Sequence, residues 1–226
     1  MSQQEPPVST HESVTATTVD EQRRKFLLGG LSLSALLLSG TRPASAQAAR
    51  IVDFGAAGQR SSGSPLPAIS AGNGDFWSRP RVLRLRHART GERLETAYWR
   101  EGALDNSGYA RVCHFMRDVR ANETLAMDPR LLDLICAMQA WVGAYGFSKP
   151  FVITSGYRTR RTNDSLEGAA RNSMHLYGRA VDLVFPDLPV SYMGKLAQHY
   201  AAGGVGFYPS SGFVHVDTGR IRTWRR

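Results

Sequence analysis

Cysteine is scarce in this chain, which contains only Cys113 and Cys136 among its 226 residues. Two cysteines cannot build the dense disulfide framework of small secreted domains, and their spacing matches no zinc-finger pattern. Both lie in stretches with helical periodicity, and the sequence does not show whether their Cβ atoms meet. One disulfide and two buried thiols are therefore equal alternatives. Apart from the cysteines, a hydrophobic fraction of 42% is enough to bury a core.

Long apolar runs are also lacking, since the most apolar stretch, residues 26–38, is too short to cross a bilayer as a helix. Arg23 and Arg24 precede this stretch, and Ala-Ser-Ala follows it with the small-x-small form of a cleavage site. The paired arginines resemble the twin-arginine export signal. We therefore predict that residues 1–46 are a leader, read by the twin-arginine export machinery and cleaved after Ala46. The product would be periplasmic and without a stable membrane anchor, whereas an uncleaved amphipathic anchor is the alternative.

Acidic residues are too few to balance the basic ones. The chain contains 28 Lys and Arg against 19 Asp and Glu, a formal net charge of +9. The predicted leader contains equal numbers of both signs, so its removal leaves this charge unchanged. Such an excess suits an anionic polymer such as the bacterial cell wall, and it would also suit nucleic acid or acidic lipid. No nucleic-acid-binding motif is recognisable, so we expect no nucleic-acid partner.

Composition and periodicity divide the remainder into two parts. Residues 47–80 are rich in Gly, Ser, Ala and Pro and show little periodicity, which predicts a flexible linker. Residues 81–226 form the predicted folded domain. Its predicted elements are a hairpin at 81–99, helices at 106–120 and 128–146, strands at 151–155 and 179–185, a helix at 191–202 and a last strand at 213–219. This order predicts a single α+β domain with a small antiparallel sheet flanked by helices.

The six histidines are the first candidates for residues of a reactive site. Four of the six histidines are poor metal-ligand candidates: His11 in the leader, His87 in the hairpin, His114 in an early helix and His199 on a helix surface. The other two lie close to aspartates. His175 precedes Asp182 in "SMHLYGRAVDL", and His215 lies within "FVHVDTG".

Strand alternation predicts where these polar side chains point. In "FVHVDTG", His215 and Asp217 share one face, and the two valines share the other. If this strand neighbours "RAVDLVF", Asp182 and His215 can meet at a Cβ separation of about 5 Å. A turn at Gly178 can then fold His175 back towards them. Two imidazoles, one carboxylate and an open fourth position are the layout of a catalytic zinc. A core histidine hydrogen-bonded to an aspartate explains the same pattern.

Four segments carry a resemblance to a known family: "DPRLLDLICAMQ", "SGYRTRRTN", "NSMHLYGRAVDL" and "GGVGFYPSSGFVHVDTGRIRTW". Together they resemble the murein endopeptidase K family of zinc peptidoglycan peptidases, related to the D-Ala-D-Ala carboxypeptidases and the Hedgehog-type fold. The resemblance covers about residues 81–224. It implies a fold of that type, zinc on His175, Asp182 and His215, and hydrolysis of peptide cross-links in the stem peptides of peptidoglycan. A carboxypeptidase that trims a terminal D-amino acid and a murein-binding module without activity are the alternatives.

One departure from the family affects the mechanism. Many relatives place a glutamate or a second histidine near the last ligand, but no glutamate follows Asp182 here. Asp217 is therefore the candidate general base, with an orienting role towards His215 and a fourth-ligand role as alternatives. The resemblance places Arg158 near the metal, where it would stabilise an oxyanion or bind a substrate carboxylate. The pocket-lining candidates are Tyr157, Asn163 and Ser173.

Overall fold

Residues 76–226 are described here from a computed structural model. The predicted leader, and the predicted linker up to residue 75, lie outside this range. At the end of the predicted linker, Phe76–Ser78 form a 3₁₀ helix. The guanidinium of Arg81, the first residue of the predicted domain, lies 4.8 Å from the ring centroid of Trp77.

The described chain contains eight strands, four α-helices and a second short 3₁₀ helix. The strands are β1 Arg81–His87, β2 Arg93–Arg100, β3 Ala103–Leu104, β4 Phe151–Ser155, β5 Ala180–Val184, β6 Gly204–Tyr208, β7 Phe213–Asp217 and β8 Arg222–Arg225. The helices are α1 Asn106–Phe115, α2 Pro129–Ala144, α3 Arg160–Asp164 and α4 Val190–His199, and the second 3₁₀ helix is Met174–Tyr177. The α+β class and the N-terminal hairpin are confirmed.

The prediction of a small antiparallel sheet is wrong. All eight strands form one mixed sheet in the order β3-β2-β1-β4-β5-β7-β6-β8. β1 runs parallel to β4 and β6 runs parallel to β8, whereas the other neighbours are antiparallel. The strand at 213–219 is not the last, because β8 follows it and pairs beside β6.

The missed strands have sequences that local patterns do not favour. β3 has two residues, β6 contains two glycines, and β8 is short, with two arginines among its four residues. The glycines of β6 allow close packing against neighbouring groups and do not form a turn. A Cβ at Gly206 would lie 2.5 Å from the ring of Trp224 on β8, so the two strands could not approach this closely with a larger residue.

Three helices pack against the sheet and enclose its core. α1 contacts β2, and α4 contacts β6 and β7. Two buried tyrosines tie α2 to other elements: the Tyr98 hydroxyl donates to Asp133 Oδ1 at 2.7 Å, and the Tyr200 hydroxyl donates to the Ala137 carbonyl at 3.2 Å. None of the helices between residues 76 and 226 has the length and apolarity needed to cross a membrane.

Residues 142–148 form the end of α2 and the turn that follows it. Within this segment the Phe147 N–H donates to the Val142 carbonyl at 3.2 Å. The bond satisfies a carbonyl in the last turn of the helix, and α2 ends at Ala144, close to its predicted end.

α1 ends earlier than predicted, at Phe115 rather than at 120. The chain beyond it turns back, and Asp118 pairs with Glu123 in an isolated bridge. The buried Asp118 Oδ2 also accepts hydrogen bonds at 2.9 Å from both the backbone N–H and the hydroxyl of Thr159. These bonds fix Thr159, the N-cap of α3, which directly follows Arg158.

Cys113 and Cys136 are free thiols, and both are buried. Cys113 Sγ accepts the Met127 N–H at 3.4 Å, and Cys136 Sγ lies 3.8 Å from the Val82 carbonyl oxygen. Each sulfur therefore has its own partner, and of the two sequence-based alternatives the structure has the thiols rather than the disulfide.

The turn at Gly178 places the second 3₁₀ helix next to β5. Gly178 has φ +65°, in the left-handed region, and its carbonyl accepts the Asp128 N–H at 2.9 Å. The Arg179 N–H donates to the Met174 carbonyl at 3.0 Å and closes the turn. This conformation, which glycine adopts without strain, returns the chain so that His175 lies over the sheet.

Replacement of Gly178 by alanine is expected to reduce stability more than replacement of Gly212. Both glycines have positive φ, where alanine costs about 1–2 kcal/mol. Only at Gly178 would the new Cβ also collide, 2.4 Å from the Ala126 carbonyl oxygen, whereas nothing lies within 4 Å at Gly212. Urea unfolding of the two variants measures the difference, and equal losses would contradict this account.

Candidate metal centre

Three side chains from three elements converge above the sheet. β5 and β7 pair in a register that sets Asp182 opposite His215, and the 3₁₀ helix brings His175 to the same point. His175 Nε2 lies 3.2 Å from His215 Nδ1 and 3.3 Å from Asp182 Oδ1, which is 2.9 Å from His215 Nδ1. All three residues are buried. They are the group of His, Cys, Asp and Glu among residues 76–226 whose ligand atoms lie close enough to share one metal ion.

In both imidazoles, the outer ring nitrogen, which points away from the other donors, lies within hydrogen-bond distance of an acceptor. His175 Nδ1 lies 2.6 Å from the Gly156 carbonyl, and His215 Nε2 lies 3.0 Å from Asp217 Oδ2. If these nitrogens carry the protons, His175 Nε2 and His215 Nδ1 present lone pairs to each other and to Asp182. Three acceptors that face one another without a donor repel one another, and a cation between them would remove that repulsion.

The spacing of the three acceptors fits a metal ion. Tetrahedral zinc with bonds of about 2.0–2.2 Å places neighbouring ligand atoms about 3.3–3.6 Å apart. The observed separations of 3.2, 2.9 and 3.3 Å are at or slightly below that range. Two nitrogens and one oxygen are donors that suit zinc, and three protein ligands leave a fourth position for water or substrate.

The electrostatics of Asp182 favour its ionised form. Burial alone would raise the pKa of this carboxyl group, but the two imidazoles lower it well below its ordinary value. Its second oxygen, Oδ2, accepts a hydrogen bond from Arg158 Nη2. Arg158 is itself positioned by two further contacts, Nε to Ser155 Oγ at 2.7 Å and its backbone N–H to the His175 carbonyl at 3.1 Å. Asp182 is therefore a carboxylate with one oxygen available to a metal.

The pKa of His215 moves in the opposite direction from that of His175. Burial lowers the pKa of both rings, and for His175 this effect dominates. For His215, hydrogen bonds to Asp182 and Asp217 outweigh burial and raise the pKa. Without a metal, a proton on Nδ1 can hold the cluster together, so a metal ion must compete with that proton.

Asp217 lies beside this cluster but does not face the acceptors. Its side chain is fully buried, and Oδ2 contacts His215 through Nε2, the nitrogen that points away from His175. Oδ1 accepts the backbone N–H groups of Gly204 at 3.0 Å and Gly219 at 2.8 Å, and Arg222 pairs with both oxygens. Burial would raise the pKa of Asp217, but these donors keep it well below its ordinary value.

A cleft of about 400 Å³ opens above the cluster. His175, Asp182 and His215 line it, together with residues 166–170 and 172–174 and several side chains of the β6–β8 region. The Trp224 ring centroid lies 5.2 Å from that of His215, and the Trp224 indole N–H donates to the Tyr208 hydroxyl at 2.9 Å. The cluster is therefore reached from solvent through a cavity with an aromatic side.

Of the four other candidate residues from the sequence, two line the cleft and two do not. Arg158 and Ser173 line the cleft, and Ser173 Oγ also caps the 3₁₀ helix by accepting the His175 N–H at 3.4 Å. Asn163 does not line it, because its buried amide is turned towards the Ala170 carbonyl, 3.1 Å away, beside a neighbouring cavity. Tyr157 is also absent from the lining.

Several cleft residues were missed by sequence reasoning. They are Glu167, Tyr208, Phe213, Arg222, Trp224 and Arg226. Glu167 lies in a loop without periodicity. The others belong to β6, β7 and β8 or adjoin β8, so only recognition of β6 and β8 as strands beside β7 would have brought most of them to the site.

The α+β fold presents a buried His-Asp-His donor set at the base of a cleft. Three protein ligands of these types, with a fourth position left open, are typical of metal-dependent hydrolases. Comparison with known proteins gives the family. Residues 76–224 match the family model described as peptidoglycan L,D-endopeptidase MepK, and the chain belongs to this family.

Three relatives illustrate this similarity. The peptidoglycan L,D-endopeptidases MepK of Escherichia coli strain K12 and of Shigella flexneri are each 34% identical over 210 residues, which cover 91% of this chain and 98% of theirs. The probable peptidoglycan L,D-endopeptidase MepK of Haemophilus influenzae is 30% identical over 212 residues, which cover 92% of this chain and 97% of its own.

If the donor set binds Zn²⁺, addition of this ion is expected to raise the melting temperature of the metal-free protein, because the ion would bind the folded donor set and not the unfolded chain. At a free zinc concentration 100 times Kd, the free energy of unfolding rises by about 2.7 kcal/mol. Scanning calorimetry measures the shift. His175→Ala should abolish it, whereas His114→Ala, at an exposed histidine outside the cleft, should retain it. An undiminished shift in His175→Ala would contradict the assignment of the site.

Proposed function

We propose that this protein is a zinc-dependent endopeptidase that hydrolyses an L,D peptide bond in the cross-links of peptidoglycan stem peptides. Family membership supports a peptidoglycan metallopeptidase, and the named relatives are L,D-endopeptidases. The observation that carries the proposal is the triangle of three acceptor atoms at the base of the cleft.

His175, Asp182 and His215 would hold the metal through Nε2, Oδ1 and Nδ1. When bound, zinc would lower the pKa of its water towards neutrality and polarise the scissile carbonyl. The protein's part is to keep the three donors deprotonated and correctly oriented. Gly156 and Asp217 do this for the imidazoles by accepting their outer N–H groups, an arrangement that fixes both tautomers.

The charges of the donors and their partners cancel once the imidazole protons facing the cluster are displaced. Arg158 pairs with Asp182, and Arg222 pairs with Asp217. With both imidazoles neutral, the set of donors and partners has no net charge. The charge of a bound divalent ion is then not offset by the groups that surround it, and a low-dielectric site strengthens its effect on a bound water.

In this proposal Arg158 also contacts the substrate. Its Nη2 and Nε are engaged by Asp182 and Ser155, and no hydrogen-bond partner for Nη1 is found among residues 76–226. Because Arg158 lines the cleft, Nη1 would donate to the carbonyl oxygen that gains negative charge during hydrolysis, or to a substrate carboxylate.

Asp217 takes the orienting role in this proposal rather than the role of general base. The side chain has no accessible surface, and both oxygens already accept hydrogen bonds from backbone or side-chain donors. A base would need a free oxygen near the bound water. A fourth-ligand role is also disfavoured, since Asp217 contacts His215 through the nitrogen opposite the triangle.

The wider setting of the enzyme is part of the same proposal. The excess of basic residues suits a substrate rich in carboxylates, and the N-terminal sequence supports twin-arginine export to the periplasm with cleavage after Ala46. We also propose that the fold is that of the Hedgehog and D-Ala-D-Ala peptidase group. Support comes from the order of the donors: a His and an Asp around a glycine turn, then a His on the adjacent strand.

The purified protein should contain about one zinc ion per chain and convert L,D-cross-linked muropeptide dimers to monomers. Chelation or His175→Ala should abolish cleavage, because each removes the metal function. Chromatography and mass spectrometry of the products measure the reaction, with D,D-cross-linked dimers as the control that stays intact. Release of a terminal D-amino acid from monomeric stems would indicate the carboxypeptidase alternative. Wall binding without turnover would indicate a binding module.

Asp217→Asn is expected to weaken zinc binding about 10–100-fold, because the amide presents a poorer acceptor to His215. With zinc saturating, kcat should remain within about tenfold of the wild type. Loss of a general base would instead reduce kcat by about 10²–10⁴ with zinc affinity unchanged. Asp187→Asn, at an aspartate that pairs with Lys149 outside the cleft, is the matched control. The large kcat loss at full zinc occupancy would restore the base assignment.

A further inference from the structure

We infer that Arg222 is a positioning residue for the metal centre: it locks Asp217, and Asp217 in turn fixes the ring of His215. The inference deepens the proposed function and rests on it, since ring orientation matters only if His215 is a ligand. It assigns to β8, a strand that contributes no ligand, a part in holding the metal.

The contact between Arg222 and Asp217 is a fork. Arg222 Nη2 lies 2.7 Å from Oδ2, and Nη1 lies 3.2 Å from Oδ1. Nη1 also donates to the Arg220 carbonyl at 3.0 Å, and the guanidinium carbon lies 4.8 Å from the ring centroid of Trp224. A planar guanidinium held by a carbonyl and an aromatic face defines the plane of the carboxylate that it binds.

The carboxylate of Asp217 has no freedom to rotate away from His215. Oδ2 is shared by Arg222 and His215, and Oδ1 accepts the N–H groups of Gly204 and Gly219. The described contacts of the two oxygens therefore all stabilise the same orientation of the Asp217 carboxylate. Movement of the guanidinium would release the oxygen that faces His215 Nε2.

The backbone around this pair is built for close approach. A Cβ at Gly204 would lie 2.4 Å from Arg222 Nη1 and 2.6 Å from Asp217 Oδ2. Gly204 is the residue of β6 that pairs with Arg222 in the parallel β6–β8 ladder. A side chain at this position would separate the arginine from the aspartate, so the glycine serves the ion pair.

Because Arg222 also lines the cleft, its removal would have two separate consequences. Loss of its charge would weaken attraction of an anionic substrate. Loss of its hold on Asp217 would weaken metal binding. Arg226 lines the same cleft and carries the same charge, but it donates to the Gly168 carbonyl at 2.9 Å and does not touch Asp217. It therefore provides a matched control for charge.

The test measures zinc affinity of the full chain by competition with a chromogenic chelator. Arg222→Gln is expected to raise the zinc Kd about 10–100-fold, the usual effect of losing an outer partner of a ligating histidine. Arg226→Gln should stay within about twofold of the wild type. A wild-type Kd in Arg222→Gln would overturn the inference, even if activity or stability falls. An equal loss in Arg226→Gln would overturn it too.

If Arg222→Gln does not fold, Arg222→Lys with Co²⁺ in place of zinc decides the question. Lysine retains the charge that neutralises Asp217 but not the fork, so the visible absorption bands, which report ligand geometry, should shift. Bands identical to those of the wild type would show that Arg222 only neutralises charge, and would overturn the inference. Failure of the wild type itself to bind zinc would instead refute the proposed function.

Discussion

The register between β5 and β7 is the constraint on which the rest of the site depends. It sets Asp182 directly opposite His215, and a slip of one residue would turn one of the two away from the other. The apolar face of the same ladder holds this register. Its pairs are Val181 with Val216 and Leu183 with Val214, and all four side chains are buried. Core packing below the sheet thus determines the geometry of the polar groups above it.

Burial of charge is the second condition that the fold has to meet. Asp182 and Asp217 are both buried, and an unpaired carboxylate in such surroundings would be strongly destabilising. Each has an arginine: Arg158 comes from the turn after β4, the neighbour of β5, and Arg222 comes from β8, which β6 separates from β7. The donors are therefore held in place by protein contacts, and the cost of ordering them is met during folding rather than on metal binding.

Much of this arrangement could be predicted because it is local. Alternation in "FVHVDTG" places His215 on a strand face with valines opposite, and Asp128-Pro129 predicts the start of α2. The glycine at 178 predicts the turn that brings His175 back. Three strands escaped prediction: β3 has only two residues, β6 contains glycines, and β8 is short and half basic. Each of these features argues against a strand when read along the chain alone. The residues of β8 that reach the cleft escaped with them.

The role of Asp217 shows where local patterns end. Its position two residues after His215 is compatible with a base, a ligand or an orienting partner, since alternation reports only that it shares a face with the histidine. Arg222 and the Gly204 N–H, which reach it from β8 and β6, occupy its oxygens and favour the orienting role. The sequence by itself determined the donor types, their strand faces and the glycine turn, because these depend on neighbours along the chain. Only the tertiary structure decided which strands lie side by side, and therefore which oxygens are left for a metal.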